Sequence, residues 1–271
     1  MLRHRLLSWH WIAGHALAAA LVTVFMIAGF WQLERLEQQR EINSVRIARE
    51  AMEPLRFGAD PAASPLADDP ATADGLTRRH AVATGEYVPG MEILRRSRTY
   101  GGAAGWHVLT PLSLEGGEML LIDRGWVPYD QDSPPVEIAA PPAGTVTVTG
   151  HLEATMTPPV GFGASFAPRD PESGPVRATF YVDLPRLERE QMPGLLRGAW
   201  LQLHEQEPAQ AGDFPLPAMQ EAELDEGPHL GYAFQWFSFA AVGIVGYWFL
   251  MRRVLAEEKQ ARDGKGERGG E

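Results

Sequence analysis

From Leu6 to Leu33 the chain carries no Asp, Glu, Lys or Arg, and from Gly227 to Met251 it carries none again. The apolar heart of the first window is Ile12–Trp31 and that of the second is Tyr232–Met251. At 1.5 Å rise per residue, about twenty helical residues cover roughly 30 Å, the thickness of a bilayer's hydrocarbon core. The sequence therefore predicts two transmembrane helices, residues 12–31 and 228–251. Trp9, Trp11 and Trp31 flank the first and Trp236 and Trp248 lie near the ends of the second, where amphipathic rings meet headgroups. A cleaved signal peptide is the alternative for the first window. That run is long for a signal peptide and ends in GFWQL, without a small-x-small site, so it reads as an uncleaved anchor.

Basic residues beside span ends set topology. Arg3 and Arg5 precede the first span, and Arg252, Arg253 and Lys259 follow the second. Both termini, residues 1–11 and 252–271, are expected in the cytoplasm of a bacterial inner (plasma) membrane, with the stretch between on the periplasmic side. That stretch, Glu34–Glu226, holds 30 acidic residues, 16 Arg and no Lys, a net −14. Without Lys it has no Schiff-base nucleophile and no phosphate-loop lysine. The chain as a whole has net charge −11 and no Cys. Disulfides, thiolate zinc, iron–sulfur clusters and covalent c-type haem are thereby excluded. Thiolate carriage of Cu(I) goes with them. The acidic balance argues against nucleic acid, which needs a basic face.

Beyond Trp31, the segment WQLERLEQQREINSVRIAREAME stays helical in pattern, so the first span is expected to continue outward and to end before Pro54, with residues 32–57 as its extension. Residues 58–227 read as a β-rich domain with linkers, opening on an irregular Ala-, Asp- and Pro-rich connector at 58–76. Strands are expected at His80–Tyr87, Met91–Arg98, Gly105–Leu112, Glu118–Val127, Gly144–Glu153, Val176–Asp183 and Trp200–His204. A short helix is expected at Leu184–Gln191 with Asp183 as N-cap. Residues 128–143 and 154–175 are long loops. The fold class is then α+β: two terminal membrane helices flanking an antiparallel sheet or partly open barrel.

Catalytic patterns are absent from the sequence. None of the eight His stands in a spaced metal motif, there is no GxSxG elbow, and Asp123 reads as one half of an ion pair with its neighbour Arg124. His15 lies inside the first span, where an ionisable residue is a functional candidate, or else hydrogen-bonds a backbone carbonyl or water near the interface. His229 opens the second span and shares a helical stripe with Tyr232 and Trp236. An imidazole with aromatic neighbours at the membrane surface suits an axial haem ligand; an interfacial anchor belt explains the aromatics and leaves the His over. Arg35, one turn beyond Trp31, could pair with a haem propionate, with Glu34 or Glu37, or with lipid phosphate. Gly125, after the apolar strand and Arg124, fits a tight or bulged backbone with Trp126 beside it.

Three separated segments, GFWQLER (Gly29–Arg35), GWHVLTPL with LLIDRGWVP (Gly105–Leu112 and Leu120–Pro128) and HLGYAFQWFSFA (His229–Ala240), together resemble the Surfeit locus protein 1 family of cytochrome c oxidase assembly factors. The resemblance spans nearly the whole chain. It implies a chaperone without turnover chemistry, assisting biogenesis of the oxidase's catalytic subunit I and delivery of haem a, held transiently, with haem a synthase as a further candidate partner. It places Trp31, Gln32 and Arg35 in the first family motif, Arg124, Gly125 and Trp126 in the second, and His229, Tyr232 and Trp236 in the third, with His229 the suggested haem-iron ligand. One departure is Gln39, where the family often has Lys; Arg40 follows it. A haem-free scaffold for an oxidase intermediate and a membrane-tethered sensor or enzyme domain are the alternatives.

Overall fold

A computed structural model describes residues 8–60, 62–171, 173–218 and 224–267. Arg3 and Arg5, which carry the N-terminal half of the topology argument, lie outside the described residues. The chain forms two compact units, one from residues 1–44 with 224–271 and one from 45–223.

Two long helices, α1 (Trp9–Glu50), which belongs to the first unit up to Ser44, and α4 (His229–Glu267), are each long and apolar enough to cross a membrane. They pack antiparallel along a seam of period 3.5. On the later helix the seam is His229, Ala233, Trp236, Ala240, Gly243 and Tyr247. Ala233 and Ala240 are buried. Trp236 stacks on Phe25 with ring centres 5.8 Å apart, Phe237 closes on Gly29, and Val22 faces Gly243. Without a hydrophobic drive between helices in lipid, close backbone approach over small residues supplies the association, and Gly29, Ala233, Ala240 and Gly243 are those residues. Helix α1 stops at Glu50, before Pro54 as expected, and Leu55–Phe57, at the end of the expected 32–57 extension, is instead a strand.

The second unit is built on eight strands: β1 (Leu55–Phe57), β2 (His80–Tyr87), β3 (Ile93–Tyr100), β4 (Ala103–Leu114), β5 (Met119–Pro128), β6 (Thr145–Ala154), β7 (Ala178–Thr179) and β8 (Ala199–Glu207). They form one mixed sheet in the order β1-β2-β6-β8-β5-β4-β3-β7, and β2 also pairs with β4 through Gly85–Tyr87. The expectation of an antiparallel sheet is corrected at three places: β1–β2, β3–β7 and β5–β8 run parallel. Parallel neighbours need a crossover connection. After β5 the chain visits β6, β7 and α3 (Leu184–Glu190) before it lays β8 beside β5.

Three further expectations change. Residues 58–76 are not irregular: α2 (Ala63–Asp68) and a 3-10 turn at Ala73–Leu76 bury Ala63, Ala67, Ala73 and Leu76 against the sheet. The strand expected at Val176–Asp183 shrinks to two residues. The carboxylate of Asp170 accepts the backbone N–H groups of Phe180 and Tyr181, so they are taken by a side chain instead of a ladder. Asp123 does not pair with Arg124: the first hydrogen-bonds His107 and the second Gln210. Asp183 does cap α3, accepting from the Arg186 backbone N–H at 3.1 Å.

Candidate functional site

The end of α1 and the start of α4 meet through polar contacts on the same seam. Arg40 makes a bidentate contact with Glu226, Nε at 3.0 Å and Nη2 at 2.9 Å, and Asn43 Nδ2 donates to the Asp225 carbonyl at 3.3 Å. Asp225 Oδ1 in turn accepts from the Gly227 N–H at 2.9 Å. These contacts hold the turn that precedes the helix, and Tyr232 N donates to the Pro228 carbonyl to begin it. His229 then falls opposite Gln32, with its Nδ1 2.9 Å from Gln32 Oε1. An amide oxygen only accepts, so Nδ1 is the donor, and in the neutral ring that arrangement leaves the lone pair on Nε2. Gly227, at φ +71°, adjoins the same ring edge. A Cβ there would lie 3.2 Å from Cδ2 and 3.3 Å from Nε2, and glycine keeps that crowding away.

The other residues expected in this region divide into two sets. Trp236 belongs to the seam, on Phe25. Tyr232 and Trp31 are half exposed, at 47% and 49%, outside it. Arg35 lies 5.5 Å over the Trp31 ring and donates to Gln38 Oε1 at 3.1 Å, in place of the expected Glu34 or Glu37. The donor set therefore fits haem in one respect: a His whose near nitrogen is held and whose far nitrogen meets no hydrogen-bond partner among the described residues, as in histidines that bind metal. An aromatic and a cation stand within two turns of α1. At the opposite end of the seam His15 Nδ1 hydrogen-bonds the Tyr247 hydroxyl, a side chain where the sequence suggested a carbonyl or water.

Arg124, Gly125 and Trp126 belong to the sheet unit. Val108 pairs with Gly125 and Leu109 with Asp123, so Arg124 is the extra residue of a bulge, and Gly125 takes φ +129°. The bulge sends the neighbouring charges to different partners. Asp123, fully buried, accepts from His107 Nδ1 at 2.8 Å and lies 3.9 Å from Arg95. Arg124, 2% exposed, donates to Gln210 Oε1 at 2.8 Å, stands 3.6 Å from Glu92 and covers the Tyr87 ring at 5.1 Å. Glu92 also accepts from Thr110 Oγ1 at 3.0 Å and from the Val136 N–H at 2.7 Å. Burial pushes the Glu92 carboxyl above its ordinary range, opposed by those two hydrogen bonds and Arg124. Burial likewise pushes Tyr87 up to about 12. Trp126 pairs with Leu216 through both backbone groups, at 2.7 and 2.9 Å. This second cluster is a structural charge network inside the sheet.

Sequence reasoning did not foresee the Gln32–His229 bond, the Arg40–Glu226 clamp, Tyr247 as the partner of His15, or Glu92 as the partner of Arg124. The 4-3-4-3-4 spacing from His229 to Tyr247 is a signal for the face that carries His229 and Tyr247, and nothing in the sequence marks the other two contacts. Among the described residues no group of three or more His, Asp or Glu gathers as a metal centre.

The model of the SURF1 family matches residues 19–241. The chain is 29% identical over 263 residues to an uncharacterized SURF1-like protein of Mycobacterium tuberculosis, covering 92% of this chain and 88% of the other. It is 27% identical over 257 residues to a SURF1-like protein of Monosiga brevicollis, covering 89% of each. It is 23% identical over 244 residues to one of Rickettsia bellii, covering 88% of this chain and 91% of that one.

Proposed function

The chain belongs to the SURF1 family, and on that premise we propose that it is an assembly factor for haem-copper cytochrome c oxidase that assists insertion of haem a into subunit I. In this role it is a two-pass inner-membrane protein. The basic residues Arg252, Arg253 and Lys259 after the second span support a cytoplasmic C-terminus, and Arg3 and Arg5 before the first span support a cytoplasmic N-terminus. Residues 58–227 then lie on the periplasmic side. The protein carries its cargo without a turnover reaction. Subunit I is the receiver and haem a synthase a candidate donor.

One observation carries the cargo role: a His at the outer end of the helix pair with Nδ1 engaged and Nε2 free. His229 would bind the haem iron until the histidines of subunit I replace it. Arg35 is the candidate for a propionate, since a guanidinium binds carboxylate in a fork and its present partners are a ring and a neutral amide.

The test is a strain lacking this protein, complemented with wild type or His229→Ala. Subunit I and its haem a content are quantified in purified membranes, with succinate dehydrogenase as the control. The proposal expects subunit I short of haem a, restored by wild type and not by His229→Ala. Full haem a occupancy without the protein would overturn it. Low subunit I with normal haem per subunit would favour the haem-free scaffold.

A further inference from the structure

We propose that Gln32 is the positioning residue for His229: it fixes the tautomer and the ring plane that present Nε2 to a haem iron. This rests on the haem role proposed above and adds to it a residue on the other helix whose only part is to aim the ligand.

A histidine on its own at a helix start can rotate about χ1 and χ2 and can carry its hydrogen on either nitrogen. Both freedoms reduce its competence as a ligand. Gln32 removes both with one bond. Its oxygen accepts from Nδ1, so the hydrogen stays on that nitrogen and the lone pair stays on Nε2. The acceptor itself is held. Gly29, one turn before Gln32, is closed on by Phe237, and Arg40, two turns after it, is clamped by Glu226. The contacts on either side fix the separation and register of the two helices where the bond forms. An acceptor on the inner nitrogen also raises the basicity of the outer one. In metal-binding histidines such outer partners are worth about 10–100-fold in affinity.

The competing account is that the bond is interhelical glue and nothing more, as polar pairs between membrane helices often are. The two accounts differ in what Gln32→Glu does. A carboxylate keeps an acceptor at the same reach and strengthens the pull on the Nδ1 hydrogen, giving the imidazole more anionic character. If Gln32 acts through His229 on bound iron, that variant retains haem and shows a lower midpoint potential. If the bond only joins the helices, affinity and potential both stay at wild type.

The experiment uses the full chain in lipid nanodiscs, titrated with ferric protoporphyrin IX as the probe. Soret absorbance, the EPR spectrum of the ferric form and a redox titration are recorded for wild type, Gln32→Leu, Gln32→Glu and His229→Ala. Far-ultraviolet circular dichroism checks that each variant is folded. The expected result is a 10–100-fold weaker affinity for Gln32→Leu, with affinity rescued and potential lowered in Gln32→Glu. Wild-type affinity in Gln32→Leu, or an unchanged potential in Gln32→Glu, would overturn the positioning role while leaving His229 as ligand. Equal binding by wild type and His229→Ala would overturn the haem role beneath it, and the inference with it.

Discussion

Arg124 is buried inside the sheet unit, 2% exposed, and its place in the fold makes a quantitative demand. Its side chain is fully buried and faces Glu92, whose own side chain is 1% exposed. Substitution by Met removes the cation and keeps most of the volume, which leaves a carboxylate in an apolar setting with two hydrogen bonds and no charge partner. Breaking a buried pair from one side costs about 3–5 kcal/mol, whereas replacing both members with apolar or neutral groups costs far less. For a domain of this size each kcal/mol moves the melting temperature by about 2–4 °C, so Arg124→Met should melt roughly 6–20 °C below wild type. The double variant Glu92→Gln with Arg124→Met should recover most of that loss.

The pH dependence has a definite sign. Burial holds Glu92 above its ordinary value of 4.5 in the folded state, so the fold favours the protonated form. Its contribution is full below that ordinary value and is lost as pH rises through the raised one. Without Arg124 the raised value climbs further. Arg124→Met should then be closer to wild type near about pH 5 than at neutral pH, and Glu92→Gln should abolish the difference. Tryptophan fluorescence melts of the detergent-solubilised full chain measure wild type, the two single variants and the double variant. A melting temperature for Arg124→Met within a degree or two of wild type, or a double variant no better than the single, would refute the buried-pair argument.

Other parts of the fold make separate demands. Gly125→Ala puts a Cβ against the Leu216 carbonyl at φ +129°; it should cost about 1–3 kcal/mol and raise hydrogen exchange at Trp126 and Leu216, and unchanged protection there would count against the bulge. His151 is lowered to about 4, first by burial and then by His80, whose ring centre is 4.2 Å away. The fold thus prefers it neutral, and the stability present above its ordinary 6.5 is lost as pH falls toward about 4; His151→Gln should flatten the pH profile of the unfolding midpoint, and an unaltered profile would contradict this. Because the chain has no cysteine, Val22→Cys with Gly243→Cys tests the helix seam directly. A Cβ at Gly243 lies 3.6 Å from Val22 Cγ2, so mild oxidation should form a disulfide within one chain, and its absence in membranes would mean that the helices do not pair in this register.

Legibility in the sequence followed the range of the interactions. The two apolar helices could be read because a bilayer-length run without charge is a property of one segment. β2 could be read to the residue because its alternation and its bounding turns are local. The parallel pairing of β5 with β8 could not, since it depends on where a chain returns after seventy-odd residues of loops and short elements. The residues 58–76 misled by composition: Ala and Asp read as connector, but Ala63 and Ala67 are small enough to bury a helix close against the core. Asp123 and Arg124 misled by adjacency. The bulge at Arg124 turns the two side chains to different partners, and a bulge is set by the pairing of β5 with β4, which adjacency in sequence does not show. The stripe through His229 and Trp236 was legible as a helix face. Its polar partner was not, because Gln32 lies 197 residues away and only the antiparallel register brings the two together.

The central claim is that the outer end of the helix pair holds haem a through His229. The direct measurement is the visible spectrum of the purified full chain produced together with the enzymes of haem a synthesis, for wild type and His229→Ala. A haem a Soret band in wild type and its loss in the variant are the expected result. A wild-type protein with no Soret band, made where haem a is abundant, would contradict it.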